Sequence, residues 1–191
     1  GLYEGNYQSS FTAANNLVWG HGSADFYNVS EGATIKENPL FVDETNRDLR
    51  ITSRSPARKH ASDGGDIGAL VYDGTATVGL QGHFYENTTL PAGAHSVLGD
   101  LTVEPGVTLT VEAGADLQMA ANADSMGGND AVDRVELRVY GKLLVSGTAA
   151  SPVRMRSNAA APSSGDWRGV RLYGTSTNTV IANAAIEHAY D

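Results

Sequence analysis

Cysteine is absent from this 191-residue sequence, which excludes disulfide frameworks, thiolate metal sites and cysteine nucleophiles. Basic residues are scarce: 13 Lys and Arg stand against 22 Asp and Glu, a net charge of −9. Such a chain lacks the positive field that draws polyanions, so general nucleic-acid binding is not expected. No run approaches the roughly 18 apolar residues of a transmembrane helix, so membrane insertion is not expected either. Helical periodicity is nearly missing as well. Apolar residues rarely recur at i, i+3, i+4 and i+7, and 22 Gly with 6 Pro interrupt most windows. The mass of 20.0 kDa still permits one compact domain or two small ones, with a core that hides about 70 % of the unfolded surface.

What the sequence does contain is alternation. Leu101/Val103, Leu109/Val111, Leu137/Val139, Leu143/Val145, Val153/Met155 and Val170/Leu172 each place apolar residues two apart, with a polar residue between in every pair except Leu143/Val145, where Leu144 stands. Period two predicts strands. Turn signals separate them, as at Glu104-Pro105-Gly106, Ala113-Gly114, Tyr140-Gly141 and Ser146-Gly147. The runs fall into sets of three: from Leu101 to about Met119, from Val135 to Arg156, and from Trp167 onward. Strands this short, joined by so few residues, fit coils whose partners lie one coil above and below. The expectation is an all-β solenoid of three-strand coils in which the apolar pairs share one core. A β-sandwich also gives short strands and turns, and stands as the competing architecture.

The segments 101–115 (LTVEPGVTLTVEAGA), 139–148 (VYGKLLVSGT), 151–157 (SPVRMRS), 165–172 (GDWRGVRL) and 185–189 (AIEHA) resemble the opening coils of bacterial secreted right-handed parallel β-helix repeat proteins of the pectate-lyase-like superfamily. The segments 38–43 (NPLFVD), 48–51 (DLRI), 55–57 (SPA) and 66–69 (DIGA) are similar to the closing segment of such helices. Together these matches touch the chain from about Asn16 to Ala189. A closing segment preceding an opening one implies a piece that spans the junction of two β-helices. On this reading residues 1–72 are a last coil and closing segment, 73–95 a connector, and 96–191 the opening coils of a second helix. The resemblance further implies a bacterial source and an extracellular or cell-surface location. It leaves function open, because one fold hosts lyases, hydrolases, adhesins and spacers.

Two insertions, 120–134 and 157–166, follow the third strand of successive coils and are expected to lie side by side. They carry Asn122, Asp124, Asn129, Asp130, Asp133, Asn158 and Asp166. Clustered hard oxygen ligands suit Ca²⁺, and Asp124, Asn129, Asp130, Asp133 and Asp166 are the candidate ligands, although the spacing matches no EF-hand or nonapeptide motif. Stacking of coils is expected to put Arg138 under Arg171 and Tyr140 under Tyr173 on an outward face, with Arg154 and Arg156 on a neighbouring one. A guanidinium forks a carboxylate and a tyrosine ring packs on a pyranose, so these six residues are the candidate polysaccharide contacts. Ordinary solvated strand positions give the same residue types.

Asp63, Asp66 and Asp73 bring carboxylates close, as glycosidases require, but Asp66 belongs to the closing segment and reads as structural. The five histidines show no zinc-site spacing, and no GxSxG elbow is present. No catalytic residue is assigned. The sequence favours a non-catalytic extracellular structural or adhesive module that contacts polysaccharide or self-associates through open ends into fibres. The alternative is a Ca²⁺-dependent lyase or a hydrolase acting on acidic polysaccharide, with Lys142 or an outward arginine as the base.

Overall fold

The structure, a computed structural model, describes residues 2–3, 12–20, 26–27, 30–128, 132–174 and 176–190. The described residues contain strands and turns, and no helix occurs among them. The chain divides into two units, Gly1–Thr77 and Val78–Asp191.

In the first unit three pairs of very short strands run parallel. β1 (Leu2–Tyr3) pairs with β4 (Phe26–Tyr27), β2 (Thr12–Ala13) with β5 (Ser30–Glu31), and β3 (Asn16–Leu17) with β6 (Thr34–Ile35). An antiparallel pair then follows, β7 (Phe41–Asp43) with β8 (Asp48–Ile51). Two-residue strands bury little, and side-chain hydrogen bonds hold the rest of the unit. Asp66 accepts backbone N–H bonds from Lys59 (3.1 Å) and Tyr72 (2.9 Å), one on each oxygen. Thr52 Oγ1 donates to Leu40 O at 2.9 Å. Arg50 bridges Asp48 and Asp73.

The second unit is built from eleven further strands. They are β9 (Leu80–Phe84), β10 (Thr88–Leu90), β11 (Gly93–Val103), β12 (Thr108–Glu112), β13 (Ala115–Met119), β14 (Glu136–Val139), β15 (Lys142–Ser146), β16 (Val153–Ser157), β17 (Gly169–Leu172), β18 (Val180–Ala182) and β19 (Ala184–Ile186). Every pairing is parallel, and the partners recur at every third strand. β9, the second half of β11, β14 and β17 make a first column. β10, β12, β15 and β18 make a second. The first half of β11, β13, β16 and β19 make a third. β11 takes part in two columns because it turns a corner at residues 98–100, where its register against β9 shifts.

The alternation explains the core. Leu101, Val103, Leu109, Val111, Leu137, Val139, Leu143, Val145, Val153 and Met155 are all buried, and Trp167 joins them. Removing such a side chain from water contributes about 1.5–3 kcal/mol each. Val170 is only half-buried and Leu172 is 51 % exposed, since β17 is the last strand of its column and nothing in the described chain stacks on it. Stacking also dictates Gly141. A Cβ there would collide with the carbonyl oxygens of Glu104 and Val107, the turn of the strand level below. The stretch expected as a connector, 73–95, contains β9 and β10, which pair with later strands in the first and second columns.

Candidate functional site

Alternation that sends Leu101, Val103, Leu137 and Val139 inward sends their neighbours to the outer face of the first column. Register then fixes who stands beside whom. Thr102 pairs with His83 on one side and Arg138 on the other, and Arg138 pairs with Arg171. Two residues earlier, on the same face, Asp100 stands beside Glu136, whose neighbour on β17 is Gly169. One position after the strands come Tyr85, Glu104, Tyr140 and Tyr173. The outer face of one column therefore carries a grid of titratable and aromatic side chains.

Its two halves differ in environment. The part after the strands is half-buried, with Tyr85, Glu104, Tyr140 and Tyr173 all partly accessible. Tyr140 and Tyr173 stack with centroids 4.1 Å apart and planes 14° from parallel, and Arg171 sits 6.0 Å over the Tyr173 ring. Burial first, and then the neighbouring Tyr173, push the Tyr140 hydroxyl up to about 12. His83 Nδ1 meets Glu104 Oε1 at 2.6 Å, and its ring stacks on Tyr85.

The part before the strands is covered. Asp124 accepts backbone N–H bonds from Asp100, Met126 and Gly127, so the segment after β13 folds down over Asp100. Ser125 N donates to Leu98 O and Met126 is fully buried. A side chain on Gly99 would run into Asp124, Ser125 and Met126, so only glycine lets the segment lie this close. Beneath it Asp100, Thr102, Glu136 and Arg138 are all at most 4 % exposed. Desolvation, followed by repulsion from Asp124, pushes the Asp100 carboxyl up to about 8 even though Arg138 lies 3.9 Å away. Asp100 Oδ1 accepts the Glu136 backbone N–H at 2.6 Å, and Glu136 Oε1 lies 3.5 Å from both Arg168 and Arg171.

The six polysaccharide candidates thus fall into three groups. Tyr140, Tyr173 and Arg171 are together at the surface of the first column. Arg138 stands beside Arg171 as expected but does not face solvent: it is 4 % exposed and engaged with Asp100. Alternation fixes only which side of the sheet a residue takes, and the segment 124–128 covers that side. Arg154 and Arg156 lie on the third column. Arg154 is exposed, whereas Arg156 forks Asp116 at 2.9 and 2.8 Å and holds its carboxyl below the usual carboxylate range. Lys142 lies on the second column.

Of the calcium candidates, Asn129 and Asp130 lie outside the described residues. The two insertions do meet: Asn122 N donates to Asp166 O at 2.8 Å and Ala121 N to Asn158 Oδ1 at 3.0 Å. Asp166, however, already accepts hydrogen bonds from Ser157 Oγ (2.6 Å), Ser163 N (3.0 Å), Ser163 Oγ (3.1 Å) and Asn122 Nδ2 (3.2 Å). The Ser157 bond, first among these, draws its carboxyl below the usual range. Asp124 is likewise consumed by backbone N–H groups, and Asp133 is exposed. Among the described residues no three His, Asp or Glu side chains are placed to hold a metal ion. Asp124 and Asp166 fit a role as loop anchors.

A model of the pectate-lyase like beta helix domain matches residues 82–190, which is more than half of the chain and nearly all of the second unit. Neither the curated proteins nor the solved structures yield a match. With parallel columns that repeat every third strand and a matching family model over the same residues, this chain belongs to the pectate-lyase-like β-helix domain family.

Proposed function

We propose that the chain is a non-catalytic extracellular module whose second unit coils as a right-handed solenoid and contacts polysaccharide through the outer face of its first column. The observation that carries this reading is the Tyr140–Tyr173 stack, two rings 4.1 Å apart just past successive strands of the first column, with Arg171 beside them. Parallel stacking keeps the rings in line with the coil repeat, and a rigid aromatic surface with a guanidinium fork suits a chain of pyranose rings. A bacterial surface or the surrounding medium is the setting this fold family suggests. The first unit, with parallel pairs followed by an antiparallel pair, fits the last coil and closing segment of another helix, and β9 and β10 fit the first rung of the second.

Affinity electrophoresis against polygalacturonate tests the proposal. Mobility is expected to be retarded for the natural chain, and a Y140A/Y173A variant is expected to lose about 10-fold in affinity, the equivalent of one aromatic pair. Equal retardation of both proteins would overturn it.

One observation favours a second reading, a hydrolase: the Asp100 carboxyl, pushed up to about 8 by burial, stands beside Glu136, whose backbone N–H it accepts. Glycosidases work with a pair of neighbouring carboxyl groups. Against it, both groups are covered, at 1 % and 0 % exposure, so a sugar has no path to them. New reducing ends released from polygalacturonate and lost in D100N would establish the hydrolase.

A further inference from the structure

The first unit carries an apolar cleft that shares no residue with the face read above as contacting polysaccharide. The cleft has a volume of about 290 Å³ and is lined chiefly by Leu17, Phe41, Leu49, Ile51, Ile67 and Leu70. Its walls follow from the local sequence. Phe41 on β7 and Ile51 on β8 are antiparallel partners, and alternation along β8 puts Leu49 on the same side as Ile51. Asp48 and Arg50 take the other side, where Arg50 bridges Asp48 and Asp73. Leu17 reaches the cleft from β3. The remaining wall is the loop 67–70, which is pinned at both ends. Ile67 N donates to Ala57 O at 2.8 Å, and Asp66 accepts the N–H groups of Lys59 and Tyr72. The Arg58 guanidinium lies 4.0 Å over the Tyr72 ring. Gly68 turns the loop at φ +124°, a conformation that a side chain would strain. The cleft is therefore formed before anything enters it.

Charge and size together define an occupant. None of the lining residues is charged or carries a hydroxyl, and Arg50, next to Leu49 and Ile51 in sequence, is engaged with Asp48 and Asp73. An ionised ligand would lose its water here without gaining a partner, so charge matching calls for a neutral one. The volume is roughly twice that of the ~150 Å³ apolar cavity that takes up benzene, and lies near the lower end of small-molecule sites. Leu49 at 45 % and Leu70 at 48 % exposure stand at the mouth, followed by Val71 at 65 %. Three side chains fall far short of the roughly 800 Å² per partner that a stable protein interface buries, which disfavours a second copy as the occupant.

We propose that this cleft of the first unit is a binding site for a small uncharged apolar molecule, an aromatic or alkyl compound of about ten carbons. Ile51 and Phe41 pack against its body, and Leu49 and Leu70 close over its outer edge. Burial of these half-exposed leucines supplies part of the affinity, and the pinned loop keeps the cost of ordering small. The site rests on none of the residues invoked for polysaccharide contact.

The test is calorimetric titration of the full chain at neutral pH with naphthol, which is uncharged, and with naphthoate, a charged counterpart of similar size. Naphthol is expected to bind, and naphthoate to bind about 10-fold more weakly or less, because the cleft offers its charge no partner. L70D sets a carboxylate at the mouth and A69F fills the space, both at exposed positions. Each is expected to lose about 10-fold or more in naphthol affinity while the melting temperature of the free protein changes little. Y140A/Y173A is expected to bind naphthol as the natural chain does, which separates this site from the polysaccharide face. If A69F fails to fold, L70D and the ratio of naphthol to naphthoate affinity decide. Absence of naphthol binding by the natural chain overturns the site, and so does binding that L70D leaves unchanged or that naphthoate matches. A natural chain that sediments as a dimer, while L70D sediments as a monomer, would put a second copy in the cleft and overturn the small-molecule site as well.

Discussion

The two units solve the same problem, how to stabilise short parallel strands, by different means. In Val78–Asp191 three columns supply a continuous row of apolar side chains, from Leu80 and Phe84 through Leu109 and Leu137 to Trp167. In Gly1–Thr77 the described buried apolar residues are few, among them Val18, Leu40, Ile51 and Ala57. Polar bonds carry more of that unit: Asp66 ties two backbone segments, Thr77 N meets Ser53 Oγ at 3.0 Å, and Asp43, Asp48 and Asp73 all accept local hydrogen bonds. The lesson is that a repeat needs several neighbours. Residues that recur in register over many levels bury one another, whereas a unit whose parallel strands are only paired must satisfy more of its backbone one turn at a time.

Calorimetric unfolding breaks this comparison most sharply if the contrast is wrong. L137A is expected to destabilise the second unit by about 2–5 kcal/mol, the usual cost of a cavity in a stacked core. L49A in the first unit, at a position 45 % exposed, is expected to change stability by about 0.5 kcal/mol or less. The pH dependence sharpens the contrast further. The Asp100 carboxyl keeps its proton to about 8 when folded, whereas an unfolded carboxyl releases it near 3.8. Between those values the folded state binds more protons, so this contribution is fully present below about pH 4 and gone above about pH 8. Its slope reaches at most about 1.4 kcal/mol per pH unit, and D100N is expected to flatten it. In the first unit the sign reverses. Hydrogen bonds from Asn46, Arg50 and Thr75 hold the Asp43, Asp48 and Asp73 carboxyls below their ordinary 3.8, so that support is present above about pH 4 and lost in acid.

A smaller effect is expected from R50A, which removes the bridges to Asp48 and Asp73. These are surface pairs, so melting temperature should fall slightly at low salt and not at all at high salt. The smallest expected effect is none: millimolar Ca²⁺ or chelator should leave the melting curve unchanged. A cation that bound only the folded chain would raise it, and such a rise would show that the loop carboxylates can release their hydrogen-bond donors.

The stacking itself was legible because alternation is local. Leu101/Val103 and Leu137/Val139 announce an inward face without knowledge of any partner, and Tyr140 and Tyr173 each stand one residue past the last strand residue of their level. β9 was hidden, since Gly82 and His83 interrupt its apolar residues, and β10 is three residues long. Arg138 looked solvent-facing because sequence gives the side of a sheet and not what later folds across it. Asp124 does that work through three backbone N–H groups. A capping carboxylate and a metal-ligating one are the same residue type, and only the donors around them tell the two apart.

The corner that β11 turns is crossed three times, at 98–100, at 120–135 and at 158–168, while the strands on either side keep pairing level by level. Span length there is therefore decoupled from the fit of the coils. Foreign peptide spliced in place of 160–162, a stretch of exposed residues, would be displayed at a fixed height on the molecule without disturbing what stacks beneath it.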